Sequence, residues 1–214
     1  MKKLGVASLQ LAIIYALPLL GNPGMLLSPK ILACMAAATV LFMTQPITSG
    51  REARRNKSSD KHTMFIILLC GFLSQVIGVL EWAYVRGAPF GVRNAMVAGL
   101  GLVMMVGGIA FRIWSIHTLG RFFTATVQVK AGHHIITSGP YHIVRHPSYL
   151  GALVAVVGSA IFLEAPFGTA TSIIMMLFAY RLRIAVEEVT LSKALGDSYQ
   201  EYQRHTKRLI PLVW

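Results

Sequence analysis

Long apolar blocks alternate with short polar ones along this chain. Blocks near 4–21, 29–48, 64–85 and 94–117 each approach the ~20 residues that carry a helix across a bilayer. Gly21-Asn22-Pro23-Gly24 predicts the first turn. REARRNKSSDK at 51–61 separates blocks two and three, and RGAPFGVR at 86–93 separates three and four. Beyond residue 148 the blocks shorten to 148–163 and 167–183, with Glu164-Ala165-Pro166 between them. That spacing predicts a tight C-terminal helical hairpin of short or tilted spans. The pattern describes an all-α, polytopic membrane helix bundle of five or six membrane segments, with both ends on one side.

Composition agrees. The 214 residues are 55% hydrophobic and 13% charged, against about 25% charged in a soluble domain, and mean hydropathy is +0.60. No linker, low-complexity stretch or internal repeat divides the chain, so 1–214 reads as a single integral membrane domain. The N-terminal MKKLGVASLQLAIIYALPLL shows no small-residue cleavage site before Gly21 and reads as a retained first span. Cys34 and Cys70 both fall inside apolar blocks, as small buried hydrophobes and not as metal ligands.

The net charge of +12 would suggest nucleic acid in a soluble protein. Here the basic residues flank apolar blocks, which argues for the bilayer and against nucleic acid. With the N-terminus inside, sixteen of the twenty Lys and Arg lie inside. Lys30, Arg86 and Arg93 lie outside and Arg112 lies within the fourth span. That is a strong inside bias. The polar stretch 118–147 and the tail 184–214 then share the cytoplasmic side, with five of the seven His and four of the eight acidic residues.

Two polar clusters stand there. GPYHIVRHPSY, 139–149, precedes the first hairpin block. An interfacial anchor accounts for each of its residues in turn. Pro147 suits a first helical position, with His146 and Ser148 as caps. Tyr141 and Tyr149 suit the headgroup level, and Arg145 suits a phosphate. The second cluster is YRLRIAVEEVTLSKALGDSYQEYQ. Arg183 and Glu187, four apart, share a helix face. Arg183 leaves an apolar block directly, a costly place for a guanidinium unless it is used or paired. Leu191, Leu195, Tyr199 and Tyr202 continue an apolar stripe, which predicts that the tail docks.

Taken in order, GPYHIVRHPSYLG, a short apolar hairpin, R-x-x-x-E-E, LGDSYQEYQ and Pro211 resemble the isoprenylcysteine carboxyl methyltransferase family across residues 112–211. The resemblance implies an integral membrane enzyme that uses S-adenosylmethionine to esterify the C-terminal carboxylate of a prenylated cysteine. It implies a methyltransferase core at 112–211 and a spanning scaffold at 1–111. The cytoplasmic loop and tail would form the cofactor pocket. Matched residue by residue, the donor would meet Gln128, His133, His134, Ile135, Ile136, Tyr141, His146, Pro147, Ser148, Tyr149 and Glu187. Arg183 would face the acceptor as the catalytic residue. No strand–GxGxxG–helix pattern offers a soluble-type donor site; Gly99-Leu100-Gly101 falls mid-span and reads as helix packing.

The acceptor is the open part. Members of the family that the chain resembles often carry an aromatic residue a few positions past the RHPSY-Gly segment, where this chain has Ala152-Leu153-Val154-Ala155. A carboxylate acceptor needs no base, because it is ionised at neutral pH. A phospholipid amine, a thiol or another small lipophilic acceptor remains an alternative, with His146 or Glu188 as proton acceptor. Haem or quinone binding and transport are lesser alternatives. His117 alone lies near a span interior, and Glu81 and Arg112 read as snorkelling groups near span ends. The membrane would be the plasma membrane in a prokaryote and the endoplasmic reticulum in a eukaryote. Oligomeric state is not legible.

Overall fold

Prolines open four of the eight α-helices among the described residues, where a missing N–H costs nothing and the fixed φ is already helical. The computed structural model describes residues 2–45, 58–85, 94–124 and 135–211. Helix α1 is Lys2–Leu11, prolonged by a wider turn at Ala12–Ala16; a short 3-10 turn follows at Pro23–Leu27. Helix α2, Pro29–Met43, is capped by the Ser28 hydroxyl, which accepts from Ile31 N at 3.2 Å. Helix α3, Ser58–Leu80, loosens into a π turn at Glu81–Val85. Helix α4, Ala95–Leu119, starts at Asn94, whose side chain accepts from Met96 N and Val97 N. The four-residue α5, Pro140–Ile143, leads into α6, Pro147–Phe162. Helix α7, Pro166–Leu195, ends at Gly196 with φ +56, and α8 is Asp197–His205.

Three helices among the described residues are long and apolar enough to cross a bilayer: His62–Val85, Ala95–Phe122 and Pro166–Leu195. Gly5–Ala16, Pro29–Met43 and Pro147–Phe162 are shorter apolar helices. The expected hairpin is α6 and α7, turning at Leu163-Glu164-Ala165. Its second arm does not stop at 183. It runs 30 residues to Leu195, about 45 Å at 1.5 Å per residue, so residues 184–195 of the expected tail belong to the same helix. The basic connections at 51–57 and 86–93 lie outside the described residues.

Two antiparallel pairs organise the bundle. Helices α4 and α6 touch backbone to backbone. A Cβ on Gly108 would stand 2.6 Å from the Gly151 carbonyl oxygen, and one on Gly151 would stand 2.7 Å from that of Gly108. Glycine is what permits that approach. Ala155 belongs to the same contact, since its N would lie 2.5 Å from a Gly108 Cβ. In the other pair, Gly168 of α7 meets Gly78 of α3 at one end, and Arg183 meets Thr63 at the other. The pair therefore sets Thr63 beside Arg183.

Arg112 and Glu81 do not snorkel. Arg112 is 3% exposed; its Nε donates to the Thr44 hydroxyl at 2.9 Å and its Nη1 to the Ser148 carbonyl at 3.0 Å. Glu81 is buried and accepts the Gly168 N–H at 2.7 Å. The close α4–α6 packing leaves the Arg112 stem no path to the surface.

Candidate functional site

At the end of the bundle where α7 outruns α6, the chain between α5 and α6 meets the C-terminal segment. Arg145 N donates to the Lys207 carbonyl at 2.8 Å and His146 N to the Arg208 carbonyl at 3.0 Å. Tyr202 on α8 donates its phenol to the Tyr141 carbonyl at 2.6 Å. Beneath these bonds Glu188 gathers three cationic or protonatable groups. Arg145 Nε lies 2.9 Å away, Arg208 Nε 2.8 Å and His146 Nε2 3.3 Å. Arg145 also donates to the Gln203 and Thr206 carbonyls. A buried carboxylate shared in this way is stable only as part of a complete network.

That network shapes a cleft of about 860 Å³, its open mouth included. Ile135, Ile136, Tyr141, His146, Ser148, Tyr149, Arg183 and Glu187 all line it. Eight residues expected from sequence thus come to one place. Pro147 is buried behind the wall as the first residue of α6. Gln128, His133 and His134 lie outside the described residues. His146 holds the N-cap position without capping through its side chain; its ring turns to Glu188 instead. Arg145 is likewise committed to the protein and not to a surface phosphate.

Glu187 and Arg183 meet through a phenol. Tyr149 Oη donates to Glu187 Oε2 at 2.8 Å and lies 3.4 Å from Arg183 Nε, while Arg183 Nη1 reaches the Thr63 hydroxyl at 3.2 Å. The Tyr149 ring stacks between His146, with centroids 5.8 Å apart, and Tyr180, at 5.0 Å. Burial first, and nearby carboxylates second, push the phenols of Tyr141 and Tyr199 well above their ordinary range; Tyr202 rises to about 12. All three are neutral donors at physiological pH.

The sequence did not mark Leu119, Phe122, Phe123, Thr124 and Thr190 as lining residues, nor Leu191, Leu195, Tyr199 and Tyr202, which it read only as a docking stripe. Leu191 and Leu195 follow Glu187 at intervals of four and so share its face. That signal was available. Leu119 to Thr124 arrive by tertiary packing alone.

The cleft does not end at Arg183. A second cavity shares Phe123, Thr124, Tyr149 and Arg183 with it and adds Gln45, Met64, Arg112 and Tyr180. A third, mostly apolar chamber continues past Tyr180, Gln45, Ile67 and Leu68 to Tyr15, Cys34, Gln75, Val156 and Ser159. A polar cleft, a junction holding two guanidinium groups and an apolar chamber therefore adjoin in that order.

Comparison with known proteins gives one answer. The profile of the isoprenylcysteine carboxyl methyltransferase family matches residues 100–193. Protein-S-isoprenylcysteine O-methyltransferase B of Arabidopsis thaliana is 31% identical over 144 residues, covering 66% of this chain and 73% of the plant protein. The Homo sapiens protein-S-isoprenylcysteine O-methyltransferase is 30% identical over 115 residues, 53% of this chain and 40% of that one. In fold, the chain resembles the solved eukaryotic intramembrane Ras methyltransferase ICMT with a TM-score of 0.58 at 20% identity. The match covers 99% of this chain and 77% of the other. Motif order, helix arrangement and the Arabidopsis relative agree that this chain belongs to the isoprenylcysteine carboxyl methyltransferase family.

Proposed function

We propose that this chain transfers the methyl group of S-adenosylmethionine to the carboxylate of a lipophilic acceptor, of which a prenylated C-terminal cysteine is the first candidate. The observation that carries the reading is the adjacency of a polar cleft and an apolar chamber, with Arg183 and Tyr149 lining the junction. A water-soluble donor and a lipid-like acceptor need such an arrangement.

The cleft fits the donor. It offers one carboxylate, Glu187, for hydroxyl or ammonium groups, and aromatic planes from Tyr141, Tyr149, Tyr199 and His146 for a purine or a cation. Leu191, Leu195, Ile135 and Ile136 supply apolar floor. We assign donor binding to these groups together with Ser148, Pro147 behind them, and Gln128, His133 and His134. When bound, S-adenosylmethionine supplies an electrophilic sulfonium methyl.

The rest is positioning. A C-terminal carboxylate has a reference pKa near 3.5 and is ionised at neutral pH, so no side chain needs to take its proton. Arg183 holds it by charge-assisted hydrogen bonds, and Tyr149 ties Arg183 to Glu187 so that donor and acceptor groups share one frame. Burial of Arg183 keeps water from the reacting oxygen. His146, engaged by Glu188, acts as wall and not as base. An amine acceptor would need a free proton acceptor, and Glu188 is already held by two arginines. Residues 112–211 carry donor chemistry, while 1–111 supply Gln45, Thr63 and much of the chamber wall. The excess of Lys and Arg on one side supports a cytoplasmic position for the cleft.

The test is methyl-labelled S-adenosylmethionine with purified protein and a farnesylcysteine analogue, followed by alkali. Volatile label released by base is expected, as from a carboxyl methyl ester. Alkali-resistant label would move the reaction to nitrogen or sulfur. Unimpaired turnover by Arg183→Ala would overturn the role given to Arg183.

A further inference from the structure

Arg112 is a buried guanidinium in the apolar helix α4, and it does not line the donor cleft. We propose that Arg112 is a second anion-binding group of the acceptor site, holding the acceptor carboxylate together with Arg183. This inference rests on the carboxyl methyl transfer reading and sharpens it, because it restricts the acceptor to anions.

Three observations converge. First, Arg112 is 3% exposed, and its hydrogen-bond partners among the described residues are neutral: the Thr44 hydroxyl on Nε and the Ser148 carbonyl on Nη1. Among the described residues no carboxylate pairs with it. Glu188 is held by Arg145, Arg208 and His146, and Glu187 accepts from Tyr149. Glu164 is held by Lys30, and Glu81 accepts the Gly168 N–H. A buried cation without an opposite charge is costly, so its persistence at this depth points to an anion that arrives from outside the chain. Second, a guanidinium has five N–H donors. Two are used here, and Nη2 has no acceptor among the described residues. Third, Arg112 lines the junction cavity with Arg183, Tyr149 and Tyr180, between the donor cleft and the apolar chamber. That is where the charged end of a lipophilic acceptor must stop if its tail occupies the chamber.

Its supports also hold it still. Thr44 closes α2 and Ser148 lies in the first turn of α6, so three helices fix the guanidinium. Two fixed cations select a carboxylate and repel a protonated amine of the same shape.

The experiment reads binding, apart from turnover. S-farnesylcysteine and its carboxamide are each titrated onto detergent-solubilised full-length protein holding S-adenosylhomocysteine. Wild type is expected to prefer the carboxylate. In Arg112→Gln that preference falls about tenfold or more, with S-adenosylhomocysteine affinity kept. Arg112→Lys, which retains charge without the fork, keeps part of it. Arg183→Gln also keeps part of it, because Arg112 remains; this variant answers the question even if Arg112→Gln does not fold. Complete loss of the preference in Arg183→Gln alone would overturn the proposal. So would an intact preference in Arg112→Gln with only reduced thermal stability, which makes Arg112 a staple between helices. Methyl transfer by wild type is measured in parallel, so failure of the reaction reading is seen separately from failure of the two-arginine site.

Discussion

The two ends of the bundle both bury charge, and they do different things with it. At the far end Glu164 is spent: Oε2 takes Lys30 Nζ at 2.5 Å and Oε1 takes Asn94 N at 2.7 Å. Glu81 beside Gly168 is held in the same manner. These carboxylates tie the α6–α7 turn and the starts of α2 and α4 together. At the near end Glu188 is equally enclosed, while Glu187, Arg183 and Arg112 line adjoining cavities; Glu164 also borders a cavity, but an open and mostly apolar one, and both of its oxygens are bonded. Burial of a charge in a membrane helix is therefore not the mark of a site. The mark is a set of charged groups of both signs that line adjoining polar and apolar cavities.

This contrast can be broken in order of size. Glu188→Ala leaves Arg145 and Arg208 without their shared carboxylate. Because Arg208 is about half exposed, most of the cost falls on Arg145. Thermal unfolding in detergent should show a loss of about 3 kcal/mol or more, with donor binding lost alongside. Arg183→Gln should slow methyl transfer by about a hundredfold or more while donor affinity changes little, since only positioning of the acceptor is removed; an equal loss of donor binding would refute that division. At the far end, Glu164→Gln leaves the buried Lys30 ammonium without its carboxylate; it should cost about 3 kcal/mol of stability and leave the transfer rate as it was. A rate defect there would erase the distinction between the two ends. Tyr202→Phe removes the bond to the Tyr141 carbonyl, worth about 1 kcal/mol, and should weaken donor binding about fivefold.

Tyr202 adds a pH test. Burial raises its phenol from 10.0 to about 12, so the neutral form is favoured in the folded protein. Its contribution is full below pH 10 and is lost as pH climbs toward 12. The Phe variant should flatten that part of the alkaline limb of stability, with Tyr141 and Tyr199 titrating still higher.

How much of this was legible beforehand differs by residue. Tyr141, His146, Ser148, Tyr149, Arg183 and Glu187 could be named because their order along the chain matches a family, and they do line one cleft. Pro147 was named for the same reason but serves behind the wall. Arg112 was misread as a snorkelling group because a residue in a helix carries no sign of which neighbour will cover it. Hydrophobic periodicity reports how greasy a face is. It does not report that Gly108 and Gly151 bring two backbones together and close off the surface.

By itself, the sequence determined the helical class, the hairpin break at Glu164-Ala165-Pro166, the apolar blocks and the chemistry available at 139–149 and 183–188. These follow from local rules: proline geometry, apolar run length and charge placement act within a few residues. Tertiary structure alone decided that Glu188 closes the network under the C-terminal segment, that Tyr149 links Arg183 to Glu187, and that the cleft continues through a junction into an apolar chamber. Those contacts join residues 34 to 43 positions apart on different segments of the chain, and only packing, with no side-chain period to announce it, sets their distance.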